Sequence, residues 1–376
     1  MKFLQLAQVC KINMGQSPES STYNDNGDGL PFFQGNADFG EMHPVTRIWC
    51  NSPTKVAQAG DILISVRAPI GAMNYASEKC CIGRGLAAIT PNSDRVSSEY
   101  IYWLLRTKNR ELNSKGTGST FKAIGKKVLE EIMVPDISLE EQEEYVAAVR
   151  SVYEVVKMRR SQIQILDNLI KARFVEMFGD PVSNPNGWEK KALSEVAEIR
   201  IGPFGSLLHK EDYLAGGHAL VNPSHIVDGK IIPDNDLTVS DAKYKELSAY
   251  HLKEGDVVMG RRGEMGRCAV VNRSGLLCGT GSLLIRSIGI LHADFIQKII
   301  SFPSFKSTIE DKAVGQTMPN LNVPIVSAFQ IIVPPMSVQK QYYAFVDQVD
   351  KSKAVVQKAL DKSQQLFESL MQKYFG

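Results

Sequence analysis

The chain has 376 residues, of which 43% are apolar, so it can bury more than one core; a typical domain of roughly 100–200 residues suggests two or three domains. Its 43 Lys and Arg against 41 Asp and Glu neither demand nor exclude a nucleic-acid partner, so any positively charged surface must be local. The six cysteines lack C-x-x-C spacing, and no run of ~18 apolar residues occurs, so we expect a cytoplasmic, soluble protein with reduced thiols, not a secreted or membrane protein.

Residues 1–137 predict a globular part of mixed α/β type. A β-rich run at 61–66 stands between Gly, Asn and Asp turns, and a helical stretch follows at 98–110. Between Arg106 and Lys127 the sequence has seven basic residues and one acidic residue, Glu111. Such a cluster often forms an ordinary solvated face, but it also suits contact with phosphate groups.

Residues 138–181 predict one long helix with both ends marked. Ser138 and Glu141 have the spacing of a capping box, and Gly179 followed by Pro181 stops the helix. Between these signals, side chains follow the alternating 4-3 spacing of a coiled coil. The positions of this register are Tyr145, Val149, Val152, Val156, Ile163, Leu166, Ile170 and Met177, with Arg159 and Arg173 in the remaining slots.

Residues 182–335 repeat the motifs of the first part in the same order. The strand motif at 59–67 recurs at 254–262, and the loop motif at 118–124 recurs at 315–321. A Val-Pro follows each loop motif, and seven residues after each of these prolines stands a glutamine, Gln142 or Gln341. The chain is therefore predicted to contain two copies of one globular part followed by one helix.

Residues 336–376 predict the second long helix, with Ser337 as its start signal. A strip of apolar side chains this wide on a helix needs a partner, and the simplest partner is the other long helix, packed antiparallel. Each helix of about 37 residues would span ~55 Å. The alternative is that each helix folds back onto its own globular part. The register positions are Tyr342, Val346, Val349, Lys353, Val356, Leu360, Ser363, Phe367, Leu370 and Tyr374.

Motifs for catalysis were expected to be absent from the chain. The nearest approach to the Asn/Asp-Pro-Pro-aromatic tetrapeptide of DNA methyltransferases is at 222–225, which departs at two positions, and no nucleotide-binding Gly-x-x-x-x-Gly-Lys-Ser/Thr loop occurs. The histidines and cysteines show no zinc-ligand spacing, and the polar turn that begins at Asn24 lacks the Glu that ends a calcium loop. We therefore expect no catalytic residue, no metal and no cofactor bound by this chain.

Side chains that read base edges cluster near Gly-flanked turns in both copies. Arg suits guanine, and Asn or Gln suits adenine. A second basic cluster runs from Arg261 to Arg286, and one cluster in each copy favours phosphate contact, although the same turns suit plain β-hairpins. The candidate DNA-binding residues of the first copy are Gln34, Asn36, Arg67, Arg84, Lys115, Ser119, Thr120 and Lys122. Those of the second copy are Asn222, Ser224, Arg261, Arg262, Arg267, Gln316, Thr317 and Asn320.

This repeated series of strand, loop, Val-Pro, Gln and heptad helix resembles the specificity subunits of type I restriction-modification systems, over essentially the whole chain. The resemblance implies an α+β fold with a pseudo-twofold internal repeat. Two mixed α/β target-recognition domains, 1–137 and 182–335, would be joined by two long antiparallel coiled-coil helices, 138–181 and 336–376. The second loop departs from the first, because Pro319-Asn320 replaces Lys122-Ala123.

The resemblance also implies a function. The chain would be a non-catalytic subunit that reads an asymmetric, bipartite site in double-stranded DNA and docks two methyltransferase subunits, which carry S-adenosylmethionine, and through them restriction subunits. Half-sites one helical turn apart, ~34–36 Å, would fit a helical spacer of fixed length. Two alternatives stay open: a modification or restriction enzyme in a single chain, and a coiled-coil scaffold that never meets DNA, whose basic loops are solvent-exposed surface.

Overall fold

The structure is a computed structural model that describes residues 2–118, 122–264, 266–313 and 320–376. It divides into two compact units. The first comprises Met1–Ile163 together with Val355–Gly376, and the second comprises Gln164–Ala354. Each of the two long helices, α5 (Leu139–Phe178) and α11 (Met336–Phe375), therefore contributes one part to each unit.

The first unit combines an antiparallel sheet, a mixed sheet and a two-stranded pair with short helices. Its shorter helices are α1 (Leu6–Val9), α2 (Ser98–Thr107), α3 (Asn109–Ser114) and α4 (Lys126–Glu130). Its strands are β1 (Phe3–Gln5), β2 (Cys10–Met14), β3 (Tyr23–Asn24), β4 (Leu30–Phe33), β5 (Trp49–Cys50), β6 (Val56–Ala57), β7 (Ile62–Ser65), β8 (Met73–Tyr75), β9 (Cys80–Ile82), β10 (Leu86–Pro91) and β11 (Met133–Pro135).

An antiparallel sheet of order β2-β10-β7-β8 forms the centre of the first unit. Strand β7 is buried along its whole length, which explains its continuous apolar run. Because side chains alternate across a strand, Ile62 and Ile64 pack into the core that contains α2, while Leu63 packs into a second core on the other face. A sheet of order β3-β5-β4-β9-β6, with β4 and β9 parallel, and the pair β1-β11 complete the unit.

The second unit contains the other copy. Its shorter helices are α6 (Leu193–Val196), α7 (Asp241–Glu246), α8 (Ala293–Ile300), α9 (Pro303–Lys312) and α10 (Val323–Ser327). Its strands are β12 (Lys190–Ala192), β13 (Ala197–Ile201), β14 (Tyr213–Leu214), β15 (His218–Val221), β16 (Ile226–Val227), β17 (Lys230–Ile231), β18 (Thr238–Val239), β19 (His251–Leu252), β20 (Asp256–Gly260), β21 (Cys268–Val270), β22 (Leu276–Cys278), β23 (Ser282–Ser287) and β24 (Gln330–Ile332).

The sheets of the second unit repeat those of the first. The orders β13-β23-β20-β21, β14-β18-β15-β22-β19 and β12-β24 correspond strand by strand to the three sheets above, and β15 and β22 form the parallel pair. Val257 and Met259 face one core while Val258 faces another, as in β7. The duplication predicted from sequence is confirmed, and a β16-β17 hairpin is added in this copy.

Both long helices have the predicted register. Every register position of α5 and α11 is buried or half-buried. The capping box at the start of α5 is present, because the backbone N of Ser138 donates to Glu141 Oε2 (3.0 Å) and that of Glu141 donates to Ser138 Oγ (3.2 Å). Gly179 ends the helix with a φ of 74°. Helix α11 begins at Met336, so Ser337 lies within its first turn and is not its start signal.

Within the first unit, parts of the two long helices pack antiparallel. Tyr145, near the start of α5, stacks on Tyr374, near the end of α11, with ring centroids 4.3 Å apart. Farther along α5, Tyr153 meets Phe367, with centroids 5.7 Å apart. Phe367 and Val149 also belong to the core of the globular part. These helical parts therefore pack on each other and on the globular part at once, which combines the two alternatives drawn from sequence.

Within the second unit the helical parts pack in the same way. Asp167 of α5 forms a 2.5 Å ion pair with Lys353, while Ile170, farther along α5, accepts a 3.4 Å hydrogen bond from the hydroxyl of Tyr342, nearer the start of α11. Phe174 packs against the Tyr342 ring, and both belong to the core of this globular part. The two long antiparallel helices of the predicted fold are confirmed.

A buried glutamine joins each long helix to its globular part. Gln142 Oε1 accepts from the backbone N of Ser97 (2.9 Å), and Gln339 Oε1 accepts from that of His292 (2.9 Å). The sequence interpretation paired Gln142 with Gln341, and this is wrong. Strand β24 ends at Ile332, two residues earlier than the Val-Pro match implied, so the repeat aligns Gln339 with Gln142.

Candidate functional site

Four loops of the first unit meet at one end of its antiparallel sheet. The backbone N of Gly85, beside Arg84, donates to the Gln34 carbonyl (3.1 Å), and the Gly85 carbonyl accepts from the residue before Arg67 (2.9 Å). The residue after Arg67 donates to the Lys122 carbonyl (3.1 Å). These bonds bring together Gln34, Arg67, Arg84 and Lys122, which are separated by up to 88 positions in the sequence.

The close approach of these loops requires glycine. A Cβ at Gly85 would lie 2.5 Å from the Gln34 carbonyl oxygen, and one at Gly279 would lie 2.7 Å from the Val221 carbonyl oxygen in the second copy. Neither distance is compatible with a side chain. At both glycine-flanked turns the strands therefore pack closely, and the residue between the glycines is exposed in the first copy (Arg84) and half-buried in the second (Thr280).

Two residues that sequence reasoning missed hold these meeting loops in place by hydrogen bonds. Ser17 Oγ accepts from the backbone N of Arg84 (3.2 Å) and from Gln34 Nε2 (2.9 Å). The Asp38 carboxylate accepts from the backbone N of Gln34 (2.7 Å), which fixes the turn that begins with Asn36. The contacts of Ser17 join residues 67 and 17 positions apart and depend on strand pairing, whereas the Asp38 contact is local and spans four positions.

The remaining candidates of the first copy differ in their surroundings. Arg67, Arg84 and Lys122 are exposed and stand at the meeting loops. Lys115 is exposed on a neighbouring loop, where it forms a 2.6 Å ion pair with Glu111, one helical turn earlier. Ser119 and Thr120 lie outside the described residues.

The second unit assembles the same four loops. The backbone N of Gly279 donates to the carbonyl that precedes Asn222 (3.0 Å), and that of Arg261 donates to the Gly281 carbonyl (3.0 Å). Arg262 and Asn320 form an isolated antiparallel β-bridge through their backbones, as Arg67 and Ala123 do in the first copy. The candidates Asn222, Arg261, Arg262 and Asn320 are thus brought together, while Gln316 and Thr317 lie outside the described residues.

Among the candidate side chains where the loops of the second unit meet, some are exposed and others are held by hydrogen bonds. Arg262 and Ser224 are exposed. Arg267 donates from Nε to Glu264 (3.1 Å) and from Nη1 to the Pro223 carbonyl (3.2 Å), so its guanidinium is already engaged. The hydrogen bonds from Arg267 hold the pKa of Glu264 below its usual range.

Arg261 and Asn320 carry buried polar atoms without partners. Arg261 is 9% exposed, and its Nε finds no hydrogen-bond partner among the residues that the structure describes; the same holds for Asn320 Oδ1. Burial lowers the pKa of Arg261, and the neighbouring charge of Arg262 adds to this effect. Unsatisfied buried groups are uncommon in folded proteins, and a ligand that supplies the missing partner is one explanation for them.

Two arginines of the basic clusters have structural contacts. The Arg106 guanidinium lies over the rings of Trp103 (5.2 Å) and Tyr153 (5.0 Å). Arg286 makes two 2.7 Å hydrogen bonds to the buried carboxylate of Asp256, which raises the pKa of the arginine. Their part in the positively charged clusters is therefore not evidence for phosphate contact.

Other kinds of site find little support in the described part of the chain. No group of three or more His, Cys, Asp or Glu residues there is placed to hold a metal ion. No helix of that part has the length and apolar character to cross a membrane. The cysteines are buried, and burial raises the pKa of Cys10 and Cys278 to about 12, which keeps these thiols protonated.

Comparisons with known proteins agree on one family. A family model described as the type I restriction modification DNA specificity domain matches residues 1–166 and 185–362. The putative type I restriction enzyme MjaX specificity subunit of Methanocaldococcus jannaschii is 42% identical over 161 residues, which cover 43% of this chain and only 38% of that relative. The MjaIX specificity subunit of the same organism is 25% identical over 313 residues, which cover 78% of this chain and 71% of that relative.

The fold has a counterpart among solved structures. The crystal structure of the type I restriction-modification system S subunit from M. genitalium aligns with 100% of this chain and 96% of its own, at a TM-score of 0.57 and 14% sequence identity. At this identity the likeness shows the shared fold, with its duplicated domains and long helices.

Proposed function

This chain belongs to the family of type I restriction-modification specificity subunits, and from this premise we propose that each of its globular parts reads one half of a bipartite site in double-stranded DNA. The duplicated loop cluster supports this proposal most strongly. Two copies of one fold bring the same four loops to the same end of equivalent sheets, with exposed arginines at both ends, Arg67 with Arg84 and Arg262. Exposed arginine beside Asn or Gln is the combination that recognises base edges and phosphates.

The two half-sites differ in sequence in this proposal, because equivalent loop positions carry different side chains. Gln34 of the first copy corresponds to Asn222, and Arg84 corresponds to Thr280 between its glycines. An arginine that suits guanine is thus replaced by a short hydroxyl side chain. Contacts from Ser119, Thr120, Gln316 and Thr317 belong to the same proposal.

Docking of methyltransferase subunits is the second part of the proposal. Helix α5 carries Ile165 (61% exposed) and Leu169 (44% exposed) one turn apart and outside the buried register. Exposed apolar side chains at helical spacing favour a protein partner. This chain would supply recognition without catalysis, while the partner subunits bind S-adenosylmethionine, transfer the methyl group and attach the restriction subunits.

The proposed function is tested by co-expressing the chain with a methyltransferase subunit of its own system, purifying the complex and mapping methylated positions on DNA. The expected result is one bipartite motif with a fixed gap and two different halves. Absence of a complex, or methylation that does not depend on this chain, would favour a coiled-coil scaffold instead. Methyl transfer by the purified chain alone would point to a single-chain enzyme.

The docking surface is tested by Ile165→Glu. A buried carboxylate at an apolar interface is strongly unfavourable, so the variant is expected to lose co-purification with the methyltransferase subunit. Ile232→Glu is the matched control, because Ile232 is 57% exposed in the globular part of the same unit and lies off the helix. Equal retention of the partner by both variants would contradict docking at this helix.

A further inference from the structure

The second copy places an arginine where the first has a valine. The backbone N of Val66 donates to the Gly85 carbonyl (2.9 Å), and that of Arg261 donates to the Gly281 carbonyl (3.0 Å). Each of their carbonyls accepts a backbone hydrogen bond from the last residue of the loop motif, Ile124 (2.9 Å) or Leu321 (3.0 Å). The two residues therefore occupy equivalent places at the end of the central strand, beside the candidate DNA-binding loops.

Arg261 is buried, and no acidic residue of the described ranges forms an ion pair with it. Ser282, on the neighbouring strand, stands where the first copy has Leu86. Ser282 Oγ donates to the Val221 carbonyl (2.8 Å), so it is committed elsewhere. Arg261 is 9% exposed, and its Nε has no hydrogen-bond partner within the described ranges.

An uncompensated buried cation is unfavourable in the free protein. Desolvation of the guanidinium raises the free energy of the folded state, and repulsion from the adjacent Arg262 raises it further. Val66, which is 2% exposed in an apolar core, shows that the fold does not need an arginine at this position. A cost of this kind is offset when a ligand of opposite charge binds.

We propose that Arg261 forms an anion site that holds one backbone phosphate of the DNA bound by the second copy, and that Val66 leaves the first copy without this site. The inference rests on the proposed function and goes beyond it by making the two copies unequal in affinity. A phosphate carries the full negative charge that offsets both desolvation and the repulsion from Arg262, whereas a base edge has no net charge. Guanidinium and phosphate also match in a bidentate geometry.

The test uses the complex with methyltransferase subunits and three variants. Arg261→Met removes the charge at similar length, and Arg261→Lys keeps the charge. Arg273→Met is the control, because Arg273 is an exposed arginine in the turn at the other end of β21 and β22. DNA affinity is measured over a series of salt concentrations. The DNAs are the target sequence identified by methylation mapping and targets with single changes in each half-site.

The expected result has three parts. Arg261→Met binds all targets about ten- to a hundredfold more weakly, which is the range for hydrogen bonds to charged groups. The slope of the logarithm of its DNA-binding constant against the logarithm of salt concentration is shallower by about 0.9, as for one lost phosphate contact. Arg261→Lys retains most of the slope, and Arg273→Met changes neither the affinity nor the slope.

Thermal unfolding of the free chain separates binding from folding. Arg261→Met is expected to unfold at a higher temperature than the wild type, because it removes a buried unpaired charge. Unchanged DNA binding by Arg261→Met, or a loss confined to one base pair of the second half-site, would overturn the phosphate site. Failure of the wild-type complex to bind DNA in a sequence-dependent manner would overturn the proposed function itself.

Discussion

In the first copy the residue after the central strand is Val66, inside an apolar core, whereas in the second copy the same place holds Arg261, whose Nε has no hydrogen-bond partner among the described residues. A similar contrast occurs at the start of that strand. Asp256 and the equivalent Asp61 each accept from a backbone N, but Asp256 is also bound by Arg286 from the neighbouring strand, where the strand register gives the first copy Thr90. Backbone hydrogen bonds are shared by the two copies while these polar side chains have changed, so the backbone frame does not depend on them.

The largest expected effect comes from changing the helices that both copies share. Insertion of seven residues at matching positions of α5 and α11 keeps the register of the seam and adds about 10 Å to each helix. We expect complete loss of methylation at the original target and recovery on DNA with a longer gap between half-sites. Full activity on the original spacing would contradict a spacer role, provided that the thermal unfolding of the variant is unchanged.

The paired aspartates should differ in their effect on stability. Asp256→Asn leaves Arg286, whose side chain is 24% exposed, without its charged partner, so a loss of about 3 kcal/mol is expected. Asp61→Asn weakens only hydrogen bonding to backbone and should cost about 1 kcal/mol. Urea denaturation of both variants measures the difference. Equal losses would show that the ion pair adds nothing to the second copy.

The buried glutamines should behave alike. Gln142→Leu and Gln339→Leu each leave a backbone N and two carbonyls without partners, so each is expected to cost about 2 kcal/mol. The same denaturation assay applies, with Gln341→Leu as an exposed control. A large effect of Gln341→Leu, with none at Gln339, would contradict the alignment of the repeat.

The smallest effect concerns pH. Arg267 lowers the folded-state pKa of Glu264, so this carboxylate stabilises the folded protein above its unfolded pKa of about 4.3, and the contribution is lost as pH falls through the lowered pKa. Wild type and Glu264→Gln should therefore differ slightly in urea midpoint at pH 6 and converge below pH 4. A difference in urea midpoint that grows as pH falls would contradict a stabilising effect of this ion pair.

The sequence was most informative where the pattern is long or repeated. The 4-3 register extends over the whole of α5 and α11, so it predicted both helices, and the recurrence of motifs predicted the second copy. Strands of two residues, such as β5 and β6, carry too little pattern to be found. They form because their neighbours in the sheet offer hydrogen bonds, which is a property of tertiary structure.

The candidate site was predictable in its loops and less so in its partners. Arg84 and Arg262 stand out as arginines beside glycines, Arg67 follows the repeated strand motif, and the structure places all three where the loops of equivalent sheets meet. Ser17 could not be found in this way, because it contacts Arg84 only after the sheet has formed. Arg286 was grouped with possible phosphate contacts, since its pairing with Asp256 depends on strand register.

The central claim is that the two copies read different halves of one DNA site. Its most direct test compares the methylation motif of the wild-type complex with those of Arg84→Ala and Arg262→Ala, both at exposed positions. We expect Arg84→Ala to relax the base specificity in one half of the motif only. Arg262→Ala is expected to relax it in the other half only. Relaxation of the same half by both variants, or no change in either motif, would contradict it.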